Sequence, residues 1–140
     1  QVLFLDSEEG KYIEELGGMN VVLVKADGTP VTPESDSILK GITRDSILQL
    51  AEDRGHTVER RRVSIDEWRD GVASGGITEV FACGTAAVVT GINLLKGEGF
   101  EAGSADAPVG ELTMSLRQEL TDIQYGRRED VHGWMTRLDA

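Results

Sequence analysis

Cysteine, positive charge and long apolar runs are all scarce in this sequence, and each shortage excludes a class of protein. A single cysteine, Cys83, excludes an internal disulfide framework and a metal site built from several thiolates. With 14 Lys and Arg against 25 Asp and Glu, the net charge is −11, which argues against nucleic acid or an anionic membrane as the main partner. No apolar run approaches the length that spans a bilayer. We therefore expect a cytoplasmic protein.

The composition that remains is that of one globular domain. The 140 residues are enough to build a hydrophobic core, since 39% of them are hydrophobic and 28% are charged. The sequence starts at Gln1 without a methionine and passes at once into an apolar run of strand type at residues 2–5. We therefore expect a fragment of a longer protein.

Extended and helical patterns alternate along the chain, which predicts an α/β, or mixed α+β, fold. Thr43 is expected to cap the first helix, and Ser64 together with Glu67 the second. Residues 30–33 contain two prolines and are therefore placed at a sheet edge or in a loop. The predicted strands cover residues 2–5, 21–24, 57–63, 77–83, 88–89 and 92–95, and the predicted helices end near Gly55, Gly75 and Gly126.

The stretch from residue 80 to residue 90 is the centre of the sequence. An apolar run leads into Gly84 and Thr85, two alanines follow, and a second apolar run leaves the turn. Gly84 allows a sharp turn, and Thr85 adds a hydroxyl and an amide, so the loop is suited to face an anion from between two buried strands. A tight turn without a ligand is the plainer interpretation of this stretch taken alone.

A second glycine–threonine turn stands upstream, at Gly41-Ile42-Thr43, directly before a predicted helix. The free amides and the dipole of a helix start attract an anion, and Lys40 could add positive charge. Together the two turns predict a two-sided phosphate cradle in which Thr43 and Thr85 lie side by side.

Glu15 is the candidate functional acid. Two glycines, Gly17 and Gly18, follow it and allow the backbone to approach a ligand closely while a carboxylate is presented. A solvated surface position is the commoner fate of a glutamate, although the apolar strand just beyond makes a buried position plausible.

The remaining reactive side chains predict no further site. Cys83 is expected to be a small core residue and not a nucleophile, because no histidine stands near it in sequence. His56 and His132 are isolated and have no metal-ligand spacing to another histidine, cysteine or acid, so no metal site is predicted.

Four motifs occur in order along nearly the whole chain: YIEELGGMN at 12–20, LKGITRD at 39–45, VFACGTAA at 80–87 and HGWM at 132–135. In these motifs the sequence resembles the branched-chain amino acid aminotransferases, which are pyridoxal-phosphate enzymes of fold type IV. The resemblance implies that residues 1–140 are most of the larger, C-terminal, cofactor-binding domain of the D-amino acid aminotransferase-like fold, a pseudo-barrel of strands with surrounding helices. The small N-terminal domain and the first strand would be absent.

The resemblance also implies a role for nine residues. Glu15 would pair with the pyridine nitrogen of pyridoxal 5'-phosphate, and Leu39 would pack on the ring face. The phosphate would be bound at the two turns, and the substrate carboxylate would dock at the small residues after the second. The implied cofactor-binding residues are Glu15, Leu39, Gly41, Ile42, Thr43, Gly84 and Thr85, and the implied substrate-binding residues are Ala86 and Ala87.

The implied activity is the transfer of an amino group from leucine, isoleucine or valine to 2-oxoglutarate by a cytoplasmic homodimer. The family's catalytic lysine would lie upstream of Gln1, so no catalytic residue is expected in this chain. The chain alone is expected to be inactive and to self-associate through exposed apolar surface. Lys40 and Gly91 stand where the family usually has proline. The alternatives are a D-amino acid aminotransferase, an aminodeoxychorismate lyase, or an α/β domain without catalytic function.

Overall fold

Strands form the framework of the fold, and the computed structural model describes residues 1–138. The strands are β1 (Leu3–Leu5), β2 (Ile13–Leu16), β3 (Asn20–Lys25), β4 (Pro30–Pro33), β5 (Glu59–Arg61), β6 (Ile77–Gly84), β7 (Val88–Gly91), β8 (Leu94–Gly97) and β9 (Phe100–Gly103). The helices are α1 (Ile42–Asp53), α2 (Ile65–Ser74) and α3 (Glu111–Gln124). None of these helices is long and apolar enough to cross a membrane.

The strands lie in three sheets. The central sheet has the order β5-β4-β3-β6-β7, in which only the β4–β5 pairing is parallel. Two antiparallel ribbons, β1–β2 and β8–β9, complete the fold. The mixed α+β class predicted from the sequence is therefore confirmed, and the described residues form it without a closed barrel.

The central sheet is covered on both faces because its two middle strands are continuously apolar and buried over residues 21–24 and 80–83. Side chains alternate between the two faces of a strand. Val22 of β3 and Phe81 of β6 pack with α1 and α3, whereas Val21 and Val80 pack on the opposite face with α2 and β2. Each such fully buried side chain contributes roughly 1.5–3 kcal/mol relative to an exposed one. Burial on both sides explains why β3 shows no polar alternation in the sequence.

Several boundaries predicted from the sequence are wrong. The N-cap of α1 is Gly41 and not Thr43, because the backbone is already helical at Ile42. Residues 30–33 form β4, which pairs on both sides inside the central sheet, and its prolines occupy the two terminal positions. The strand predicted over 57–63 is limited to Glu59–Arg61. The last ribbon strand, Phe100–Gly103, has no strand-like pattern and was not predicted.

Other local signals are confirmed. Ser64 is the N-cap of α2, and its Oγ accepts a hydrogen bond from the N–H of Glu67 at 3.1 Å. Gly75 ends α2 in the left-handed conformation with φ 82°, which favours glycine. Gly55 follows α1 with φ 90°. The last helix carries its apolar face as predicted, with Leu116 and Ile123 buried. These signals are local, and each depends on residues within one or two turns of the helix it ends.

Buried and half-buried carboxylates fix α3 against the rest of the fold. Glu79 of β6 caps the start of α3, since its Oε1 accepts hydrogen bonds from the N–H and the Oγ1 of Thr113, both at 2.8 Å. Glu119, which is buried, accepts a hydrogen bond from Nε of Arg54 at 2.8 Å and pairs with Arg128 at 3.2 Å. Since Arg54 directly follows α1, this pair joins the end of α1 to α3.

Asp6 organises the connection between β1 and β2. Its carboxylate accepts hydrogen bonds from the backbone N–H groups of Tyr12 at 2.7 Å, of Glu9 at 2.8 Å and of Lys11 at 2.8 Å. These bonds, that of Tyr12 first, lower the pKa of Asp6 from 3.8 to about 2. The connection is therefore held by a charged acceptor.

Replacing Asp6 with asparagine is expected to lower the urea midpoint of unfolding at neutral pH, because an amide brings no negative charge to the N–H groups that surround it. Since the folded-state pKa lies below the usual value, the carboxylate stabilises the fold fully above pH 3.8 and loses this effect as the pH falls towards about 2. The difference in midpoint between the wild type and Asp6→Asn should therefore shrink over that interval.

Glu8→Gln is the matched control, since Glu8 is an exposed acid of the same turn and has no hydrogen bond or ion pair within residues 1–138. Its midpoint should follow that of the wild type at every pH. A difference for Asp6→Asn that stays constant from pH 3.8 to about 2 would show that the charge of Asp6 does not stabilise the turn.

Candidate functional site

The segment that leads into α1 and the end of β6 lie beside each other at one end of the central sheet, and Asn20 is bonded to the first and paired in the ladder next to the second. Asn20 is the first residue of β3 and lies opposite Cys83 of β6, which directly precedes Gly84. The Oδ1 of Asn20 accepts a hydrogen bond from the N–H of Gly41 at 3.1 Å, and its Nδ2 donates to the carbonyl oxygen of Leu39 at 2.8 Å. The two glycine–threonine turns are therefore neighbours in the fold, joined through one residue.

Both turns need glycine because other atoms pack closely against them. A Cβ on Gly41 would lie 2.4 Å from Oδ1 of Asn20. A Cβ on Gly84 would lie 3.1 Å from the carbonyl oxygen of Gly18 and 3.1 Å from Cγ of Met19. Gly18 and Met19 form the turn between β2 and β3, so a third segment reaches the same place.

The start of α1 is electropositive, and its first amides have no acceptor among residues 1–138. Gly41, its N-cap, has no side chain that could accept from the first amides. The N–H groups of Ile42 and Thr43 meet no acceptor within residues 1–138, and neither do the hydroxyls of Thr43 and Thr85. Because the helix dipole adds a partial positive charge here, the arrangement is suited to an anion.

Large apolar side chains stand uncovered beside this helix start. Leu39 is 78% exposed and Ile42 is 82% exposed. Across the site, Thr85 and Ala86 are exposed and Ala87 is half-buried. A ligand with both an anionic group and an apolar body could therefore contact amides, hydroxyls and apolar side chains at one place.

Glu15 lies in β2, the strand that leads into the turn packed against Gly84. Its side chain is half-buried, where the sequence made a buried position plausible. Within residues 1–138 its carboxylate has no hydrogen bond and no ion pair, whereas the neighbouring Glu14 accepts a hydrogen bond from Oγ of Ser37 at 3.2 Å. Glu15 is therefore a carboxylate whose hydrogen-bonding capacity is unused.

Two charged residues at the start of α1 behave differently from what the sequence suggests. Lys40 pairs with Glu34 at 3.1 Å, so its charge is partly neutralised. Arg44 is buried, and its Nη2 donates to Oδ1 of Asp45 at 2.9 Å. No signal in the sequence distinguished Arg44 from an exposed helical arginine, because its burial depends on the strand packed beneath it.

Cys83 and the histidines add no chemistry to the site. Burial raises the pKa of the Cys83 thiol to about 12, which keeps it neutral and confirms the prediction of a core residue.

His132 bonds Asp53 at 2.6 Å and stacks on Trp134 with ring centroids 4.6 Å apart. Asp53 is the last residue of α1, about 17 Å from its start at 1.5 Å per residue, so the fourth motif is remote from the two turns. No cluster of metal-ligating side chains occurs in the described residues.

Comparison with known proteins points to one family. The profile of the family described as amino-transferase class IV matches residues 1–95. A branched-chain-amino-acid aminotransferase of Mycobacterium tuberculosis is 55% identical over 142 residues, which cover 99% of this chain and 39% of that protein. A probable branched-chain-amino-acid aminotransferase of Streptomyces coelicolor is 46% identical over 138 residues, which cover 99% of this chain and 38% of that protein.

Solved structures lead to the same group. The branched-chain amino acid aminotransferase of T.th. in its crystal structure with pyridoxamine 5'-phosphate superposes with a TM-score of 0.81 at 31% identity, covering 98% of this chain and 41% of that one. The branched-chain amino acid aminotransferase from Escherichia coli superposes with a TM-score of 0.79 at 32% identity. The superposition covers 99% of this chain and 43% of that one. The chain spans about two fifths of the length of these relatives.

The contact between Gly41 and Asn20 makes the first turn sensitive to a single methyl group. Gly41→Ala is expected to destabilise the fold by about 1–3 kcal/mol, because the new Cβ would collide with a buried side chain. The φ of Gly41 is −68°, which alanine adopts without strain, so any loss comes from this contact. Urea unfolding of the variant measures it.

Gly17→Ala is the matched control for this substitution. No atom lies within 4 Å of the position that its Cβ would occupy. Its unfolding free energy should therefore stay close to that of the wild type. Equal stabilities for Gly41→Ala and the wild type would contradict the close packing at the start of α1.

Proposed function

Because this chain belongs to the class IV aminotransferase family, we propose that residues 1–140 form the larger, cofactor-binding domain of a pyridoxal-phosphate-dependent transaminase. The observation that carries the proposal is the meeting of two glycine–threonine turns at Asn20, with amides and hydroxyls that have no acceptor in the described chain. A cofactor phosphate is the ligand that this donor set suits best.

The residues present fit pyridoxal 5'-phosphate. The amides of Ile42 and Thr43 and the hydroxyls of Thr43 and Thr85 would bind its phosphate, and Gly41 and Gly84 would let the backbone come close. When bound, the cofactor supplies an electron-withdrawing ring that stabilises the negative charge developing at the α-carbon of the substrate. The helix start, without any side chain of its own at the cap, leaves room for that phosphate.

Glu15 would hold the proton on the pyridine nitrogen. A carboxylate is the side chain that favours the protonated form of that nitrogen, because its negative charge stabilises the positive ring. The half-buried position of Glu15 strengthens this interaction relative to bulk water, and its unused acceptor atoms are available for it.

The apolar residues of the site would orient the ring and the substrate. Leu39 would pack on the ring face, which accounts for a leucine that is 78% exposed in this chain. Ala86 and Ala87 would leave backbone amides open to the substrate carboxylate, because their side chains are small. Water would be excluded from the ring by Leu39 and Ile42 together.

The proposed substrates are leucine, isoleucine or valine as amino donor and 2-oxoglutarate as acceptor. The names of the relatives at 46–55% identity support this choice, as do the solved structures at 31–32% identity. The complete enzyme would act as a cytoplasmic homodimer. An apolar cleft of about 800 Å³, lined in part by Val2, Leu3, Leu5, Leu16 and Leu95, supports self-association of this chain when it is isolated.

We propose that none of the four lysines of this chain holds the cofactor, and each of them has another contact at the surface. Lys25 pairs with Glu59 at 3.5 Å, Lys40 with Glu34 at 3.1 Å and Lys96 with Glu101 at 3.7 Å, while Lys11 lies over the ring of Tyr12. The catalytic lysine of the complete enzyme would accordingly come from sequence that precedes Gln1, together with the small domain.

Glu15→Gln in the complete enzyme is expected to lower the turnover of leucine with 2-oxoglutarate by at least about tenfold, because a neutral amide no longer favours the protonated ring. Steady-state kinetics at saturating cofactor measure the effect. Glu14→Gln, one residue earlier in β2, is the control and should keep its turnover. Equal turnover for the wild type and Glu15→Gln would make Glu15 a surface acid without a catalytic role.

The chain of residues 1–140 by itself is expected to bind pyridoxal phosphate weakly and without a covalent bond. Borohydride treatment after incubation with the cofactor, followed by mapping of modified lysines, tests this expectation. No single lysine should be labelled stoichiometrically, because all four are engaged at the surface. Stoichiometric labelling of one lysine together with transamination of leucine would show that this chain is catalytically complete.

A further inference from the structure

Asn20 is buried, with 6% of its surface exposed, and one short segment uses both ends of its side-chain amide. The segment is residues 39–41, which lead into α1. The carbonyl oxygen of Leu39 accepts a hydrogen bond from Nδ2 of Asn20 at 2.8 Å, and the N–H of Gly41 donates one to Oδ1 of Asn20 at 3.1 Å. This donor–acceptor pair imitates the hydrogen bonding of a neighbouring strand, so the side chain sets the register of the segment.

Residues 39–41 have little else to hold them. Within residues 1–138, the two bonds from Asn20 are the hydrogen bonds that tie this segment to the central sheet. Lys40 contributes an ion pair with Glu34, but both side chains are more than a third exposed, and such pairs hold weakly. The position of the first amides of α1 therefore depends strongly on Asn20.

The other half of the cradle is fixed to Asn20 through the backbone. Asn20 and Cys83 are partners in the β3–β6 ladder, and Gly84 is the next residue along β6. Residues 21–24 of β3 and 80–83 of β6 are buried on both faces of the sheet, so this part of the ladder is packed from both sides. The Asn20 side chain thus joins the β3–β6 ladder to the segment that leads into α1.

The geometry points to Asn20 as a positioning residue of the phosphate cradle, a role that rests on the function proposed above. Its amide fixes the segment that leads to the N–H groups of Ile42 and Thr43 to the strand ladder that leads to Gly84 and Thr85, so that one phosphate can be bound by both turns. Asn20 itself does not touch the phosphate in this arrangement. Its contribution is to keep the two halves of the cradle in register before the ligand arrives, so that little ordering is needed on binding.

Asn20→Asp removes the donor to Leu39 while it keeps the size of the side chain. A carboxylate oxygen would then face the Leu39 carbonyl oxygen, and the two acceptors would repel each other. The start of α1 would move away from the sheet, and a negative charge would lie close to the phosphate site. Asn20→Ser, which is too short to reach either backbone group, removes both bonds without adding charge and serves as the second variant should the aspartate variant not fold.

The test compares the affinities of the complete apoenzyme for pyridoxal phosphate and for pyridoxal, both measured by quenching of tryptophan fluorescence. The ratio of the two dissociation constants isolates the phosphate, because the rest of the molecule is shared. We expect a large ratio in the wild type that falls at least about tenfold in Asn20→Asp and Asn20→Ser, since charge-assisted bonds to the phosphate are lost. Affinity for pyridoxal itself should change little.

Thr32→Val is the matched control for a loss of stability. Thr32 is buried in β4, and its Oγ1 donates to the carbonyl oxygen of Val21 at 3.1 Å, so the variant also loses a buried bond to the backbone of β3. Its melting temperature should fall while the ratio of affinities stays at the wild-type value. A structural role without positioning would instead leave the ratio unchanged in the Asn20 variants as well.

The outcomes separate this role from the proposed function. A wild-type ratio close to one would overturn the phosphate cradle and with it the proposed function. A large wild-type ratio that is unchanged in both Asn20 variants would overturn the role of Asn20 alone. A ratio that falls in the Asn20 variants and not in Thr32→Val would support it.

Discussion

The pairing of β3 with β6 is the interaction on which the rest of the structure depends. Over residues 21–24 and 80–83 these two strands are apolar on both faces, so their ladder separates two hydrophobic clusters and contributes to each. The helices α1 and α3 pack on the face of the sheet that carries Val22 and Phe81, and α2 packs on the face that carries Val21 and Val80. A shift of one residue in this register would exchange the two faces, so the pairing is strongly specified.

The same pairing brings the candidate site together. Gly84 continues β6 beyond Cys83, and Asn20 begins β3 opposite Cys83. The end of the β3–β6 ladder therefore forms one side of the candidate site. The segment that leads into α1 is hydrogen-bonded to this end of the ladder through the side-chain amide of Asn20. Because the apolar residues Leu39 and Ile42 are uncovered beside free amides, this part of the molecule is suited to a ligand with an anionic group and an apolar body.

Polar contacts between residues far apart in sequence hold the helices at fixed positions around the sheet. Glu79 supplies the cap that α3 lacks at its own N-cap, Gly110, across a separation of 34 residues to Thr113. Arg54 and Glu119 join α1 to α3 across 65 residues. Each of these contacts satisfies a carboxylate that is partly or fully removed from water, and a buried or half-buried carboxylate without such partners would destabilise the fold.

The sequence by itself determined the elements whose causes are local. The β-branched run of β3, the Ser64 cap, the glycine stops and the apolar face of α3 each depend on neighbouring residues, and the structure has them where the pattern predicts. The family was also accessible from sequence, because four motifs in order are specific. The class IV match over residues 1–95 agrees with it.

Only the tertiary structure decided which residues meet. Asn20, Glu79, Arg44 and Glu119 carry no pattern in the sequence that marks them as buried or half-buried. Their burial depends on partners 19 to 65 residues away or on strands packed beneath. The true cap of α1 and the interior position of β4 were missed for the same reason. Local propensity describes only which secondary structure a segment favours when it is isolated. Where a helix or strand ends, and which residues it contacts, is decided by its packing against the two faces of the β3–β6 ladder.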